Sequence, residues 1–128
     1  MRCLSVKQPY AAWIAAGEKT IEIRSWRIQP GPLLIASSRK PDPDWELDPW
    51  ERAFGKILCL VDVSECRPLT LADRGAAVAP DLEEVEGLYA VVLSNVRPVV
   101  AVPVVGRLGL FDVEEFTLAP SVAAAPPG

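Results

Sequence analysis

The sequence predicts an α+β fold that is mainly β: a small closed β-barrel with one or two short helices packed at its side. The chain has five or six short apolar or alternating segments, with glycine or proline between them, as small barrels do. Its 128 residues suffice for one domain with one ordinary core. It contains no GxGxxG or P-loop glycine pattern, so a nucleotide-binding doubly wound sheet has no support.

The first segments alternate between strand and helix signals. Leu4–Val6 is a short apolar start, and a proline and a glycine then bound an alanine-rich stretch that predicts a helix over residues 9–16. Residues 20–24 alternate polar and apolar with a period of two. We therefore expect a half-buried strand there, with Ile21 and Ile23 pointing inward.

The rest of the chain is predicted as strands joined by loops. Residues 41–55 form a loop with three prolines and two tryptophans, in which Asp48 caps a short helix that Gly55 ends. Residues 68–86 are acidic and alanine-rich, which predicts a loop with one weak helical turn starting near Thr70. The further strands are expected at Leu33–Ser38, Lys56–Val63, Leu88–Val96 and Val99–Val105, after which Gly106–Gly109 forms a turn into Leu110–Val113.

Domain limits and location follow from composition. We expect one domain over residues 1–118 and a disordered Ala/Pro-rich tail over residues 119–128. No stretch approaches the roughly 18 apolar residues that a membrane span needs. The start of the chain lacks the continuous apolar region of a signal peptide. A cytoplasmic location with no membrane partner is the expectation.

The absence of histidine limits the chemistry. It excludes Ser-His-Asp and Cys-His catalysis and removes the commonest zinc ligand. The three cysteines (Cys3, Cys59 and Cys66) have no CxxC spacing, so neither a disulfide framework nor a zinc site is expected. Cys59 lies in an apolar run and is predicted to be a small buried hydrophobe. We expect no resident metal or cofactor.

Charge is unevenly distributed along the chain. The net charge is −4, which alone argues against binding nucleic acid. Residues 1–40, however, carry seven basic and two acidic side chains, or +5, whereas residues 41–128 carry −9. A basic segment can attract phosphate through its local field, unless the acidic part of the chain folds against it.

The densest polar cluster is GEKTIEIRSW, residues 17–26. Glu22 and Arg24 lie two residues apart on the predicted strand, so both side chains leave the same face about 7 Å apart. Lys19 at the strand mouth, partly buried beside them, would suit a base in a protein without histidine. The alternative is a solvated strand face whose ion pairs contribute little. Strict alternation also puts Lys19 opposite Glu22, unless a turn or bulge at Thr20 intervenes.

Two motifs carry a resemblance to a known family. Residues 4–11, LSVKQPYA, and residues 17–26 resemble the L-S-x-x-Q-P-[WY]-A and G-x-K-x-x-E-x-R-x-[WY] signatures of the ASCH family. That family is named after the activating signal cointegrator. The resemblance extends over about residues 2–113. It implies a PUA-like β-barrel whose cleft takes RNA or a modified nucleoside.

The resemblance also implies a set of binding residues, carried over by position. A planar arginine side chain suits phosphate or a base edge. Trp13, Trp26, Tyr10 or Trp45 could stack a base, although for Trp13 and Tyr10 core packing is the favoured interpretation. The predicted site residues are Gln8 and Trp13 from the helix, Lys19, Glu22 and Arg24 from the strand, and Ser37, Ser38, Arg39 and Lys40 from the rim.

Three other functions stay open. Small superfamily members that hydrolyse N4-acetylcytidine use a Lys, a Thr three residues later and a distant Glu; here Glu22 occupies the Thr position. A hydrolase would therefore use Lys19 as base, with Glu22 orienting it or a water. A metal-dependent ribonuclease would instead use Glu22 and Asp62 to hold Mg²⁺ or Mn²⁺. A protein-interaction domain would use the acidic residues 81–86 as its surface.

Overall fold

The computed structural model describes residues 1–120 as six strands and two short helices. The strands hold about four times as many residues as the two helices, which confirms the mainly β prediction. The strands are β1 (Arg2–Val6), β2 (Ile21–Arg24), β3 (Gly31–Ser37), β4 (Ile57–Pro68), β5 (Tyr89–Pro98) and β6 (Leu110–Asp112). The helices are α1 (Tyr10–Ala15) and α2 (Arg74–Ala77), and 3₁₀ turns occupy Pro49–Glu51 and Leu71–Asp73.

All six strands belong to one curled half-barrel sheet in the order β2-β5-β4-β3-β1-β6. Only the β1–β3 pair is parallel, which the α1 crossover between these strands permits. The register shifts once between β3 and β4 and twice between β4 and β5. Such bulges bend a strand and increase its twist, which accounts for the curl.

The two edge strands leave a gap in the half-barrel. β6 pairs only with Arg2–Leu4, so the last part of β1 has no strand beside it on that side. On the other edge, the Arg24 side chain of β2 reaches the Ser5 carbonyl of β1 at 3.2 Å. A side chain thus spans the gap where a barrel would close with backbone hydrogen bonds.

The core lies on both faces of β3. Leu33 and Ile35 pack into a cluster with α1, whereas Leu34 and Ala36 pack into a second cluster on the opposite face. This explains why β3 is a continuous apolar run instead of an alternating one. Cys59 is fully buried as predicted, and that burial raises the pKa of its thiol to about 12.

Helix α1 is short because of the residues that bound it. The Gln8 side-chain oxygen accepts a hydrogen bond from the Ala12 amide at 2.9 Å and so caps the first turn. Gly17 follows the last turn with φ +79°, a conformation that ends helices readily only with glycine. The buried face of α1 is Ala11, Ala12, Trp13 and Ile14.

One predicted strand is absent. Val99–Val105 forms no strand; it has only isolated bridges, at Val99 and at Pro103. Pro98 and Pro103 lack the amide hydrogen that a ladder requires, so pairing breaks up around them. The prediction of a strand here was wrong, because the strand propensity of valine does not replace the backbone N–H groups that the prolines lack.

Other differences concern the ends of elements. β4 and β5 run further than predicted, to Pro68 and Pro98. The helix expected after Asp48 is a single 3₁₀ turn that ends before Gly55. Of the predicted tail, Ala119 donates to the Pro98 carbonyl at 2.9 Å, and residues 121–128 lie outside the described part. Among residues 1–120, neither helix has the length and apolar character to cross a membrane.

Candidate functional site

A cleft of about 1320 Å³ occupies the gap between the edge strands. One wall is formed by β2 and residues 77–82, and the other by the ends of β1 and β3 and residues 105–109. The basic side chains outnumber the acidic ones by six to three around it. The basic residues are Lys7, Lys19, Arg24, Arg39, Lys40 and Arg107, and the acidic ones are Glu22, Asp44 and Asp81.

Three charged side chains at one end of the cleft form a connected set, here called the triad: Lys19, Glu22 and Arg24. Glu22 Oε2 accepts hydrogen bonds from Arg24 Nη2 at 2.9 Å and from Arg24 Nε at 3.3 Å. The Lys19 ammonium lies 3.6 Å from Glu22 Oε1. Lys19 and Glu22 are only 4% and 7% exposed, so the solvated-face alternative does not describe them. With one acid and two bases, the triad carries a net charge of +1.

A turn after α1 brings Lys19 to the side of Glu22. The amides of Glu18 and Lys19 both donate to the Trp13 carbonyl, at 2.9 and 3.1 Å. β2 begins only at Ile21, so Lys19 is outside the strand and strict alternation does not apply to it. The required turn therefore exists, and it lies immediately before the strand.

The surroundings of Lys19 make its side chain easier to deprotonate than a lysine in water. Its Nζ donates to the Ala77 carbonyl at 2.6 Å, and it lies 5.5 Å from the centre of the Tyr10 ring. Burial lowers the pKa of Lys19, the Glu22 carboxylate opposes this, and the Arg24 charge adds to it. A lysine in this setting can hold or release a proton near the cleft.

The structure brings most of the sequence-predicted site residues together. Ser37, Ser38, Arg39 and Lys40 line the cleft where β3 ends, opposite the triad. The Ser37 hydroxyl faces Lys56 backbone atoms, donating to its carbonyl at 3.3 Å. The Ser38 hydroxyl lies 3.0 Å from that of Ser5, whereas Arg39 and Lys40 are exposed.

Gln8 and Trp13 do not line the cleft. Gln8 is fully buried, and its amide nitrogen donates to the Ala53 carbonyl at 2.8 Å. Trp13 is 8% exposed, and its indole nitrogen donates to Glu51 Oε2 at 2.6 Å. Both side chains instead hold α1 against the loop between β3 and β4, so for Trp13 the packing alternative describes the geometry.

Some cleft residues had no signal in the sequence. Asp44 comes from the 41–55 loop, Asp81 comes from the segment after α2, and Arg107 and Leu108 come from the turn before β6. Trp45, also from the 41–55 loop, was predicted only as one of four aromatic candidates for stacking. They are distant in the chain from the motif residues and follow no spacing rule. Their charged and aromatic character was visible, but their convergence depends on the curl of the sheet.

No carboxylate pair for a metal is formed by Glu22 and Asp62. Both Glu22 oxygens already face cations, and Asp62 does not line the cleft. Asp62 instead accepts hydrogen bonds from Arg97 at 2.6 Å and from Asn95 at 2.9 Å. Within residues 1–120, no three His, Cys, Asp or Glu side chains are grouped as metal ligands would be.

Comparisons with known proteins agree with this architecture. The ASCH domain model matches residues 4–100. The crystal structure of ASCH from Zymomonas mobilis is similar to the fold, with a TM-score of 0.60 at 12% identity over 89% of this chain and 87% of that one. Two mutant forms of that protein give the same TM-score, at 12% and 13% identity, covering 89% of this chain and 88% and 90% of theirs. No curated protein matches the sequence. The chain belongs to the ASCH-domain family, a family linked to RNA binding.

Proposed function

We propose that the cleft binds RNA or a modified nucleoside. The observation that carries the proposal is the charge of the cleft, six basic against three acidic side chains in a protein whose net charge is −4. Phosphate attraction depends on the local potential more than on net charge, and a concave basic surface strengthens that potential.

The triad supplies directional donors as well as charge. Arg24 donates from Nε and Nη2 to the Glu22 carboxylate, and from Nη2 also to the Ser5 carbonyl. Its Nη1 makes no hydrogen bond within residues 1–120. Because Glu22 and Ser5 hold the guanidinium in place, little side-chain freedom is lost when Nη1 donates to a ligand. Arg24 is therefore the proposed donor to a phosphate or a base edge.

A pair of lysine variants tests the proposal. Lys40 lies on the cleft, whereas Lys56 is exposed outside it. A labelled ten-nucleotide single-stranded RNA is titrated at several salt concentrations, with fluorescence anisotropy as the readout. Lys40→Ala should lower the slope of log affinity against log salt by about 0.7, the value for one phosphate contact on a single strand. Lys56→Ala should behave as wild type.

Either of two results contradicts the proposal. One is that RNA fails to bind with salt-dependent affinity. The other is that Lys40→Ala and Lys56→Ala reduce the slope equally, because binding would then follow overall charge and not the cleft.

A second candidate function is hydrolysis of a modified nucleoside or of RNA in the same cleft. It is favoured by one observation: Lys19 is buried, with a pKa that burial lowers, and it lies beside Glu22. Lys19 would act as base and Glu22 would orient it. Thr20 is exposed and does not line the cleft, so it offers no nucleophile there.

Turnover distinguishes the two functions. Wild type and Lys19→Ala are incubated with acylated nucleosides, including N4-acetylcytidine, and with short RNAs, with and without Mn²⁺. Product that forms with wild type and disappears in the variant would make the protein a hydrolase. Salt-dependent RNA binding without product from any substrate would make it a binding protein.

A further inference from the structure

The loop between β3 and β4 contributes one aromatic side chain to the cleft. Trp45 lines the cleft and is 39% exposed. Trp13 is buried away from the cleft. Tyr10 and Trp26 also line the cleft, but both are half-buried and pack against the main core cluster. Of the four aromatic side chains that the sequence offers for stacking, Trp45 is therefore the one most accessible to a ligand in the cleft.

A chain of hydrogen bonds holds Trp45 in place. Its indole nitrogen donates to the Tyr10 hydroxyl at 3.0 Å, and that hydroxyl donates to Asp42 Oδ2 at 2.6 Å. Burial, followed by the hydrogen bond to Asp42, raises the pKa of Tyr10 to about 12, so the hydroxyl keeps its proton at neutral pH. Asp42 is itself anchored, because its amide donates to the Gln8 carbonyl at 2.9 Å.

Aromatic contacts fix the plane of the Trp45 ring. The ring meets Trp13 edge to face, with centroids 4.9 Å apart and planes at 89°, and meets Tyr10 at 6.5 Å and 84°. Such contacts add to what burial alone contributes. With the indole N–H already paired, the exposed part of Trp45 is an apolar surface in a basic cleft.

We infer that Trp45 is a base-stacking residue of the cleft, with Tyr10 and Asp42 as positioning residues that fix its ring. The inference rests on the proposed RNA binding. A base has an apolar π-face whatever its identity, so stacking on Trp45 needs no base-specific hydrogen bonds. One hydrogen bond and two edge-to-face contacts orient the ring before the ligand arrives, and such preorganisation lowers the entropic cost of binding.

The first test compares tryptophan variants on two oligomers of equal charge. One is a ten-nucleotide single-stranded RNA, and the other is the same chain with abasic sites. Trp45→Ala should weaken RNA binding by roughly 5- to 150-fold, the range for one lost base stack. It should leave the abasic oligomer and the salt slope unchanged. Trp45→Phe should retain most of the affinity.

The matched control is Trp50→Ala. Trp50 is 52% exposed and lines a separate small groove, so its removal should not change binding of either oligomer. Equal losses for Trp45→Ala on RNA and on the abasic oligomer would overturn the inference, because the change would then act through the fold. Wild-type affinity in Trp45→Ala would overturn it as well.

Tyr10→Phe tests the positioning role. It keeps the ring beside Lys19 and removes only the hydroxyl between Trp45 and Asp42. We expect a red shift of the tryptophan emission and a loss of RNA affinity smaller than that of Trp45→Ala. Unchanged emission and affinity would show that the hydroxyl does not position the ring. If wild type binds the RNA and the abasic oligomer with equal affinity, stacking alone fails; if it binds neither, the proposed function fails with it.

Discussion

At the scale of single residues, burial determines how strongly the charges of the triad depend on one another. An ion pair on a solvated strand face contributes about 0–1 kcal/mol, which would leave its function open. Lys19 and Glu22 are almost fully buried, where an unpaired charge costs several kcal/mol. Each is therefore held by partners, Lys19 by the Ala77 carbonyl and Glu22 by Arg24.

Lys19→Met tests the electrostatic state of this lysine. Burial lowers the pKa of Lys19 below 10.5, so folding releases protons from it in the pH range between the two values. The unfolded state binds more protons there, and stability therefore rises with pH. The unfolding free energy of wild type, measured against that of the variant by urea denaturation, should increase as the pH approaches 10.5.

Lys56→Met is the control for this pH series. Lys56 is exposed, and its side chain makes no hydrogen bond or ion pair within residues 1–120; only its backbone bonds to the Ser37 hydroxyl. Its difference from wild type should stay constant over the same pH range. A constant difference for Lys19→Met as well would show that burial does not perturb the lysine.

At the scale of elements, the segment that carries α2 determines one wall of the cleft. α2 has only four residues, too few to be stable alone. Arg67 at the end of β4 binds both oxygens of Asp73 at 2.9 Å, and the Thr70 amide donates to the same carboxylate at 2.9 Å. This attachment holds α2 where the Ala77 carbonyl can accept from Lys19.

Asp73→Asn should loosen this attachment. Removing the charge while keeping the shape should lower the unfolding free energy at pH 7 by about 1.5–3 kcal/mol, as for hydrogen bonds to charged groups. The Arg67 guanidinium holds the pKa of Asp73 well below its ordinary value of 3.8. The stabilisation is therefore complete above that value and is lost as the pH falls through the folded-state pKa. Urea denaturation at stepped pH measures both effects.

Asp112→Asn is the matched control for Asp73→Asn. Asp112 is an exposed aspartate in β6 without a side-chain hydrogen bond in the described residues. It should leave the unfolding free energy close to that of wild type. A loss at Asp73 that persists undiminished into the acid range would show that charge pairing with Arg67 is not its source.

At the scale of the whole molecule, the centre of the open sheet is expected to be more stable to local unfolding than its β6 edge. β3 has paired strands on both sides and buried clusters on both faces. β6 has three residues, pairs on one side only, and carries the partly exposed Leu110. The cleft lies between the two edge strands. Residues 105–109, which form part of its wall, directly precede β6 and are therefore attached through the less stable edge strand.

Hydrogen exchange should follow this division. The amides of Leu33–Ile35 in β3 should exchange only by global unfolding, whereas those of β6 and residues 105–109 should exchange through local opening at a small fraction of that free energy. Mass spectrometry after timed labelling measures the difference. Equal protection of β3 and β6 would contradict it.

Local parts of the fold were predictable from local sequence. The α1 helix, the alternating β2 strand and the motif residues all lie within residues 4–26, where periodicity and bounding residues act over a few positions. The interruption at Val99–Val105 was missed because a pair of prolines outweighs the strand propensity of valine there. The sequence did not predict that Gln8 and Trp13 hold α1 in place, because their partners Ala53 and Glu51 lie in a loop far away in the chain.

The sequence by itself determined the family, the mainly β class, and the presence of Lys19, Glu22 and Arg24 in one short segment. Only the tertiary structure decided that these charges are buried, that Ala77 accepts from Lys19 across 58 positions, and that Trp45 and Arg107 reach the same cleft. The physical reason is the distance along the chain over which each kind of interaction acts. Helix and strand patterns act between near neighbours in the chain, whereas burial and convergence come from the bulged, curled sheet that brings distant segments to one gap.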